Sequence, residues 1–350
     1  MTIFTRLGHS GVLAALGAAL LFGAGTPLAK WLLGKVDPWM LAGLFYLGSG
    51  VGLWLYRRLR QSGPVTLAAN EWPWLAGAIV SGGVVGPVLL MFGLTHMPAS
   101  TASLLLNAES VFTALIAWVV FKENVDRRIA LGMAAIVLGA LVLSWPERSE
   151  LAGMVPTLAV LGACLAWGLD NNLTRRVSLN DATWIASVKG LVAGSVNLAL
   201  ALALGAELPS LPFVLGAAVV GFGAYGVSLA LFVVGLRHLG TARTGAYFSV
   251  APFFGAALAV PLLGEPLSVK LMLAGLAMGV GVWLHLTERH QHFHSHEAME
   301  HSHEHVHDEH HQHLHPDGTA TREPHSHTHR HEPMPHSHAH FPDAHHRHDH

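Results

Sequence analysis

Gly93-Leu94-Thr95-His96 recurs in this sequence as Gly235-Leu236-Arg237-His238, 142 residues further along the chain. The same offset places Glu123 on Glu265 without a gap. Further aligned pairs are Phe112 with Phe254, Gly139 with Gly281 and, at an offset of 145, Phe22-Gly23 with Trp167-Gly168 and Lys30 with Arg175. Self-similarity at a fixed period indicates a repeated structural unit. The chain therefore contains an internal duplication.

The body of the chain consists of apolar runs that are long enough to cross a bilayer. The whole sequence is 51% hydrophobic and only 12% charged. About 20 apolar residues in a helix span a hydrocarbon core of ~30 Å. We predict ten such runs, at 11–33, 38–56, 72–95, 99–121, 128–145, 151–174, 182–204, 211–236, 241–263 and 268–287. Each repeat, 11–145 and 151–287, then contains five transmembrane helices.

The odd number of helices in each repeat fixes their relative orientation. After five passes the chain has changed sides, so the second repeat must be inverted relative to the first. Inverted repeats with a site between them near the bilayer midplane are the architecture of secondary transporters. We therefore predict an all-α integral membrane protein of two inverted five-helix repeats. The first run continues through Trp31-Leu32-Leu33 and is copied later, which favours a retained helix over a cleaved signal peptide.

Lysine and arginine in the predicted loops are distributed unequally between the two sides. One side has Arg6, Arg57, Arg58, Arg60, Lys122, Arg127, Arg128, Arg175, Arg176, Arg237, Arg243 and Arg289, and the other has Lys35, Arg148 and Lys270, with Lys30 near its boundary. Cytoplasmic loops carry the excess of positive residues. We therefore expect both termini to be cytoplasmic and the protein to be a multi-pass protein of the inner (plasma) membrane.

The C-terminal tail, residues 290–350, has a different composition from the body. It contains 23 of the 27 histidines. Most fall on alternate positions: His290, His292, His294, His296, His301, His303, His305, His307, His325, His327, His329, His331, His336, His338 and His340. Neutral imidazole suits Ni²⁺, Co²⁺ and Zn²⁺. Because such a composition cannot bury an apolar core, we predict a disordered cytoplasmic tail that binds divalent metal ions.

The ends of the fourth and ninth runs resemble a known family. Each closes with an apolar stretch that leads into glutamate: Ala114 to Trp118 is followed by Lys122-Glu123, and Pro252-Phe253-Phe254 by Gly264-Glu265-Pro266. With the two five-helix halves, this pattern resembles the EamA domains of the drug/metabolite transporter superfamily over most of residues 11–287. The resemblance implies solute transport without naming the solute. The tail composition is most similar to that of the nickel and cobalt resistance exporters of this superfamily.

Two polar residues lie near the expected midplane of the fourth run. Glu109 stands ten residues into the run, beside Asn107. An ionisable side chain inside a membrane costs at least ~2.5–3.5 kcal/mol on insertion scales, so it marks a candidate functional site. Such a carboxylate can carry a proton for antiport or bind a cation. The alternative is a protonated glutamate that only hydrogen-bonds a neighbouring helix.

A second polar group, Asp170, Asn171, Asn172 and Lys189, lies nearer the arginine-rich side, on the sixth and seventh runs. Asn197, farther along the seventh run, is a further candidate for the substrate path. Counted at 1.5 Å per residue, Asp170 and Lys189 lie at similar depth and can form an ion pair. That pair either fixes one helix against the other or takes part in gating and substrate binding.

The glutamates that end the fourth and ninth runs are expected to be structural. Glu123 and Glu265 fall at helix C-termini, where the macrodipole disfavours a negative charge. Arg127 and Lys270 lie near enough in sequence to compensate. His96 and His238, which are repeat equivalents, are expected at the membrane interface.

The sequence leaves three functions open. The first is an exporter of Ni²⁺ or Co²⁺ whose tail gathers the ion, the second an exporter of a small organic metabolite or amino acid whose tail buffers metal, and the third a metal sensor or store. The body offers few ligands to a transition metal, but a transporter must also release its ion, so the metal exporter is the leading prediction and the metabolite exporter the alternative. Without a phosphate-binding glycine loop or a nucleophile with its base, we predict no ATP-driven transport and no enzyme activity. No cofactor or nucleic acid is expected, and a homodimer is compatible with the sequence.

Overall fold

The computed structural model describes residues 3–121, 127–145, 154–177, 180–286 and four tail segments, 291–295, 299–305, 325–331 and 335–339. All regular secondary structure in the described body of the chain is helical. Its helices are α1 (Ile3–Leu33), α2 (Pro38–Leu59), α3 (Trp72–Ala78), α4 (Gly86–His96), α5 (Ala99–Leu105), α6 (Ala108–Val119), α7 (Arg127–Ser144), α8 (Met154–Arg175), α9 (Ala182–Ala203), α10 (Leu211–Gly221), α11 (Ser228–Phe248), α12 (Ala251–Leu263) and α13 (Val269–Leu286). π-helical segments join α3 to α4 (Ile79–Val85) and α10 to α11 (Phe222–Val227).

The helical runs agree with the predicted membrane spans. Within the described residues, seven are long and apolar enough to cross a bilayer: Gly11–Leu33, Pro38–Leu59, Trp72–His96, Ala99–Val119, Met154–Arg175, Ala182–Ala203 and Leu211–Gly235. Three shorter apolar helices, Ala130–Leu143, Ala251–Leu263 and Val269–Leu284, fall on the remaining predicted spans. The prediction of an all-α membrane protein is therefore confirmed at the level of helical class and apolar character.

The boundary between the eighth and ninth predicted spans differs from the prediction. We expected a loop near residues 237–240, whereas helical backbone continues from Ser228 to Phe248. A straight helix would separate Phe232 and Phe248 by about 24 Å, yet their ring centroids are 4.8 Å apart. The chain must therefore reverse between these residues through a tightly wound turn. The first repeat makes the same turn at Met97-Pro98, where proline interrupts the helix.

Helices of one repeat pack mainly against helices of the other. α2 lies along α9, α7 along α13, α1 along α11 and α12, and α6 along α8. The second helices of the two repeats pack against each other, and so do the two fifth helices. The first helix of each repeat meets the fourth of the other. This reciprocal exchange is the pattern that a two-fold relation between the repeats produces.

The α2–α9 crossing depends on glycines that let the two backbones touch. A Cβ built on Gly190 would lie 2.5 Å from the Gly50 nitrogen, and one on Gly194 would lie 2.4 Å from the Leu47 nitrogen. Gly190 and Gly194 have the spacing of the small-xxx-small pattern, which brings membrane helices into van der Waals contact. The crossing therefore tolerates no side chain at these positions without displacing a helix.

Substituting Gly194→Ala is expected to lower stability by about 1–3 kcal/mol, because the added methyl overpacks a backbone contact. The measurement is the thermal unfolding midpoint of the purified protein in detergent. Gly216→Ala is the matched control, since a Cβ there meets nothing within 4 Å and alanine favours the helix by about 1 kcal/mol. Equal midpoints for the two variants would contradict the close crossing.

An aspartate caps the second helix of each repeat. Asp37 accepts hydrogen bonds from the Trp39 and Met40 amides at the start of α2. Asp181 accepts one from the Trp184 amide at the start of α9 and forms a 2.6 Å ion pair with Arg57. Burial raises the pKa of Asp181, but its hydrogen bonds and Arg57 outweigh burial and leave the pKa below its ordinary value. The second helix of each repeat therefore begins with an aspartate N-cap.

Asp181→Ala is expected to destabilise the protein by about 1 kcal/mol, the usual value of an N-cap. Because the folded-state pKa is lowered, this contribution is fully present above the unfolded-state pKa of about 4 and is lost as the pH falls through the folded-state pKa. Unfolding midpoints of wild type and variant in detergent should therefore converge as the pH falls below about 4. A difference that stays constant with pH would show that the ionised carboxylate contributes nothing.

The described tail segments form two antiparallel ladders. β1 (Gln291–Ser295) pairs with β4 (Pro335–Ala339), and β2 (Met299–His305) pairs with β3 (His325–His331). The prediction of a disordered tail is therefore corrected for these segments. The alternation that spaces the histidines also has the two-residue period of a strand, and pairing satisfies the backbone groups. Residues 289–350 form a unit separate from residues 1–288.

Candidate functional site

A cavity of about 70 Å³ lies inside the helix bundle, between the repeats. Its walls combine aromatic rings with four polar or charged residues of the predicted site. The lining residues are Phe22, Tyr46, Ser49, Glu109, Trp167, Asp170, Asn171, Ala186, Lys189, Gly190, Ala224, Tyr225, Ser228, Leu229, Phe232 and Phe248. They come from α1, α2, α6, α8, α9, α11 and the second π-helical segment, so both repeats contribute.

Asp170 and Lys189 form an ion pair in the cavity wall. The Lys189 Nζ lies 2.5 Å from the Asp170 Oδ1, and the pair is buried. The Thr174 hydroxyl donates to the same carboxylate oxygen at 2.8 Å and accepts from Lys189 at 3.1 Å. The pairing expected from their equal depth is thus confirmed. A Cβ on Gly82 would lie 1.9 Å from the Asp170 Oδ2, so only glycine fits there.

Glu109 faces the cavity from the first turn of α6. Its Oε1 accepts a hydrogen bond of 2.8 Å from the Asn171 amide, which also lies 3.3 Å from the Thr113 hydroxyl. Within the described part of the chain, no lysine, arginine or histidine forms an ion pair with Glu109. The site therefore holds two carboxylates: Asp170, which is paired with Lys189, and Glu109, which has no cationic partner among the described residues. At the equivalent position of the second repeat stands Ala251.

Aromatic rings form the apolar part of the cavity around Phe22. Ring centroids of Trp167, Tyr225 and Phe248 lie 5.9, 5.8 and 5.3 Å from that of Phe22. The Tyr46 hydroxyl and the Trp167 Nε1 both donate to the Gly82 carbonyl, at 2.6 and 2.9 Å. These bonds fix two rings in place. These rings were not predicted from the sequence as part of the site, although Phe22 and Trp167 occupy matching positions of the two repeats.

Irregular backbone occurs at matching places in the two repeats and at the depth of the cavity. The π-helical segments Ile79–Val85 and Phe222–Val227 are related by the repeat offset. The helix breaks after Leu105 and after Phe248 are related in the same way, and α6 and α12 begin just beyond them. π-Bulges and half-helix ends at membrane depth are frequent at substrate sites. The fold therefore concentrates its irregular backbone around this cavity.

Three asparagines that the sequence suggested for the substrate path do not line the cavity. The Asn107 amide donates to the Leu104 carbonyl beside the helix break, and the Asn197 amide donates to the Gly83 carbonyl. The Asn172 amide donates to the carbonyls of Gly168 and Thr113. Buried amides bind backbone carbonyls where helices bend or cross, because an unpaired polar group in lipid is costly. The amide oxygens of Asn107 and Asn197 have no hydrogen-bond partner among the described residues, and the role of the three asparagines in a substrate path stays a prediction.

The surroundings of Glu265, in the loop after α12, also differ from the prediction. The Glu265 carboxylate accepts hydrogen bonds from the amides of Ala99 and Ser100, at 2.6 and 2.9 Å. It therefore lies at the N-terminus of α5, where the helix dipole favours a negative charge. Lys270, expected to compensate it, instead donates to the Trp145 carbonyl at 2.7 Å. Glu123 lies outside the described residues.

Metal ligands do not gather within the part of the chain that the structure describes. No group of three histidine, cysteine, aspartate or glutamate side chains there is arranged to hold an ion. The ladders place His301, His303 and His305 opposite His329, His327 and His325 along the backbone. His290, His296, His307 and His340 lie outside the described residues.

Comparisons with known proteins agree with this architecture. An uncharacterized transporter of Methanothermobacter thermautotrophicus is 29% identical over 78% of this chain and 85% of its own. A probable amino-acid metabolite efflux pump of Salmonella typhimurium is 24% identical, over 54% of this chain and 68% of its own. The pseudopaline exporter CntI of Pseudomonas aeruginosa is 27% identical, over 45% and 55%.

The fold and the family are also shared. A solved crystal structure superposes with a TM-score of 0.62 at 18% identity and covers 79% of this chain and 95% of that one, which shows a common fold. The sequence matches the EamA-like transporter family over residues 9–145 and 154–287, which are the two helical repeats. This multi-pass membrane protein therefore belongs to the EamA-like transporter family.

Proposed function

We propose that this protein is a secondary transporter that exports a small organic solute carrying an amine, such as an amino acid or its derivative. The observation that carries the proposal is the composition of the cavity. Glu109 provides a carboxylate without a cationic partner among the described residues, Lys189 provides an ammonium group, and aromatic rings form the remaining wall. A zwitterionic solute matches all three.

Each part of such a solute has a chemical partner in the cavity. A substrate ammonium group can bind Glu109 and lie over the rings of Trp167 or Tyr225, as cations do on aromatic faces. A substrate carboxylate can bind Lys189 by a charge-assisted hydrogen bond in place of Asp170. Thr174 bonds both members of the ion pair, so it holds Asp170 when Lys189 turns to the solute.

The export of Ni²⁺ or Co²⁺ is the second candidate, and the histidine-rich tail favours it. The cavity itself favours the organic solute. Its carboxylates are hard oxygen ligands, which bind Ni²⁺ weakly compared with imidazole. Lys189 adds a positive charge that repels a divalent cation at close range. The names of the Salmonella and Pseudomonas relatives, an amino-acid metabolite efflux pump and a pseudopaline exporter, also support an organic cargo.

The membrane arrangement of the proposed transporter has ten spans in the inner membrane with both termini cytoplasmic. The reversal within α11 supports the count, because it divides that helix between two spans. The arginine distribution supports the orientation. Proton antiport at Glu109 is the proposed coupling, since a carboxylate without a counter-charge can exchange a proton for a substrate amine.

Counterflow in proteoliposomes tests the proposal. Vesicles loaded with a mixture of unlabelled amino acids should accumulate a labelled amino acid from the same mixture, and vesicles loaded with Ni²⁺ or Co²⁺ should not exchange radioactive metal. The control is protein with Glu109→Gln. Metal exchange without amino-acid exchange would support the metal exporter instead, and the absence of both would reject both candidates.

The tail is expected to bind metal whichever solute is exported. Full-length protein should bind several Ni²⁺ or Zn²⁺ ions at pH 7.5 and release them near pH 5, because protons occupy imidazole below its ordinary pKa of about 6.5. Protein truncated after residue 289 should remain folded in detergent and lose this binding. Calorimetry of both forms provides the measurement. Equal heats for the two forms would remove the tail as the metal site.

A further inference from the structure

Several hydrogen-bond donors in the cavity wall are already bound to the protein. The Tyr46 hydroxyl and the Trp167 Nε1 both donate to the Gly82 carbonyl. The Ser228 hydroxyl donates to the Ala18 carbonyl at 2.9 Å. A hydroxyl group or an indole has a single proton to donate. These donors therefore hold helices together and are not free to bind a solute.

Among the described residues that line the cavity, two hydroxyl groups have no hydrogen-bond partner. They belong to Tyr225, in the second π-helical segment, and to Ser49, midway along α2. Only 8% of Tyr225 and 2% of Ser49 is exposed. The unpaired hydroxyl oxygens of Ser103 and Thr244 are fully enclosed by protein, but those of Tyr225 and Ser49 are not. Both hydroxyls are therefore open to the cavity.

Tyr225 and Ser49 lie on neighbouring elements and are fixed by packing. A Cβ built on Gly226, the residue after Tyr225, would lie 3.1 Å from the Ser49 Oγ, so α2 contacts the π-helical segment at this point. The Tyr225 ring packs against those of Phe45 and Tyr46, at centroid distances of 5.4 and 5.3 Å. These contacts fix the ring and, with it, the position of the hydroxyl.

The two hydroxyls make the cavity sensitive to the polarity of a bound solute. A cavity of about 70 Å³ has room for a few water molecules, which can hydrogen-bond both groups. A solute that fills the cavity displaces this water. An apolar group then leaves the buried hydroxyls unpaired, which is costly, whereas a polar group replaces the lost bonds. The wall therefore favours a solute with a hydrogen-bonding group at this position.

We propose that Tyr225 and Ser49 select solutes whose side chain carries an uncharged hydrogen-bonding group, such as a hydroxyl or an amide. This inference rests on the proposed function, in which Glu109 and Lys189 bind the ammonium and carboxylate groups of the solute. Because the charged residues bind the charged groups, the neutral hydroxyls remain for the side chain. The solute class is thus narrowed to amino acids and derivatives with polar, uncharged side chains.

Competition between amino acids of the same shape tests this selection. Threonine and valine differ in that a hydroxyl group replaces a methyl group, and asparagine and leucine form a second pair of similar shape. Proteoliposomes are loaded with unlabelled amino acids, and the uptake of a labelled amino acid by counterflow is inhibited from outside with either member of a pair. The ratio of the two half-inhibitory concentrations is the selectivity, and it does not depend on the amount of active protein.

The wild-type protein should bind threonine about tenfold more tightly than valine, which is the effect of restoring hydrogen bonds to neutral groups. Tyr225→Phe or Ser49→Ala alone should lower this ratio to about threefold, and the double variant should lower it to about one, because each change removes one of the hydroxyls. Tyr56→Phe is the matched control. Tyr56 is 42% exposed and does not line the cavity, so the ratio should keep its wild-type value.

Unfolding midpoints in detergent separate an effect on binding from an effect on folding. Since the Tyr225 hydroxyl has no partner among the described residues, Tyr225→Phe should not lower the midpoint. Tyr46→Phe should lower it, because it removes the 2.6 Å hydrogen bond to the Gly82 carbonyl. If Tyr225→Phe does not fold, Ser49→Ala provides the same test.

The outcomes distinguish the selection from the transport proposal. Equal inhibition of the wild type by threonine and valine would overturn the selection and leave amino-acid transport in place. A wild-type ratio in the double variant would also overturn it, because the preference would then come from other groups. The absence of any amino-acid exchange would reject the proposed substrate, and the selection with it.

Discussion

Glu109→Gln is expected to reduce transport by at least about 100-fold, because the lost charge-assisted interaction is worth roughly 3 kcal/mol. Glutamine keeps the volume of the side chain and can still accept the hydrogen bond from Asn171. It removes the negative charge that would bind a substrate amine and the group that would exchange a proton. Expression and the unfolding midpoint should therefore stay near those of the wild type.

The measurement is the initial rate of counterflow and of proton-driven export at matched protein density. Glu207→Gln serves as the control for the loss of a glutamate charge at an exposed position. The remaining transport of the Glu109 variant should no longer respond to a pH gradient. A wild-type rate would make Glu109 a packing residue and remove the proposed coupling group.

The second large effect concerns the ion pair of Asp170 and Lys189. Asp170→Ala or Lys189→Ala alone should destabilise the protein by about 3–5 kcal/mol, since each leaves a buried charge without its partner. The double alanine variant should recover part of this loss. Transport should not recover with it, because the ammonium group proposed to bind a substrate carboxylate is absent.

The partly exposed pair of Arg57 and Asp181 provides the control for this cycle. Its ion-pair distance of 2.6 Å is similar, but 38% of the Asp181 side chain is exposed. Solvent screening limits such pairs to about 1 kcal/mol. The unfolding midpoints and monodisperse yields of the single and double variants of both pairs are measured. The coupling energy should be severalfold larger for the Asp170–Lys189 pair than for the Arg57–Asp181 pair. Equal coupling energies would show that the Asp170–Lys189 pair is not desolvated.

Much of the fold could be predicted from the sequence because a helix that crosses a lipid bilayer must be long and apolar. Apolar length predicted the helical runs, and the repeat offset relates the π-helical segments and the helix breaks of the two halves. Depth along a helix predicted that Asp170 would meet Lys189. These predictions depend only on position along a helix axis, which a linear sequence contains.

Features that depend on the rotation of helices or on contacts between loops could not be predicted. Asn107 and Glu109 are two residues apart, yet the helix break directs Asn107 to the Leu104 carbonyl and Glu109 to the cavity. Glu265 bonds amides 165 and 166 residues away in sequence. The aromatic wall likewise assembles from several helices, so no local pattern distinguishes Phe22 from a ring that faces lipid.

The two repeats share a fold, but they do not carry the same charged residues in the cavity. Ala251 stands where the second repeat would need a glutamate to match Glu109. If the repeats of the proposed transporter exchange conformations during transport, the solute meets a different set of groups on each side of the membrane. The concentration that half-saturates the carrier should differ between its two faces. For transport without a coupling ion, detailed balance then requires the maximal rates in the two directions to differ by the same factor. The face with the lower half-saturating concentration therefore has the lower maximal rate.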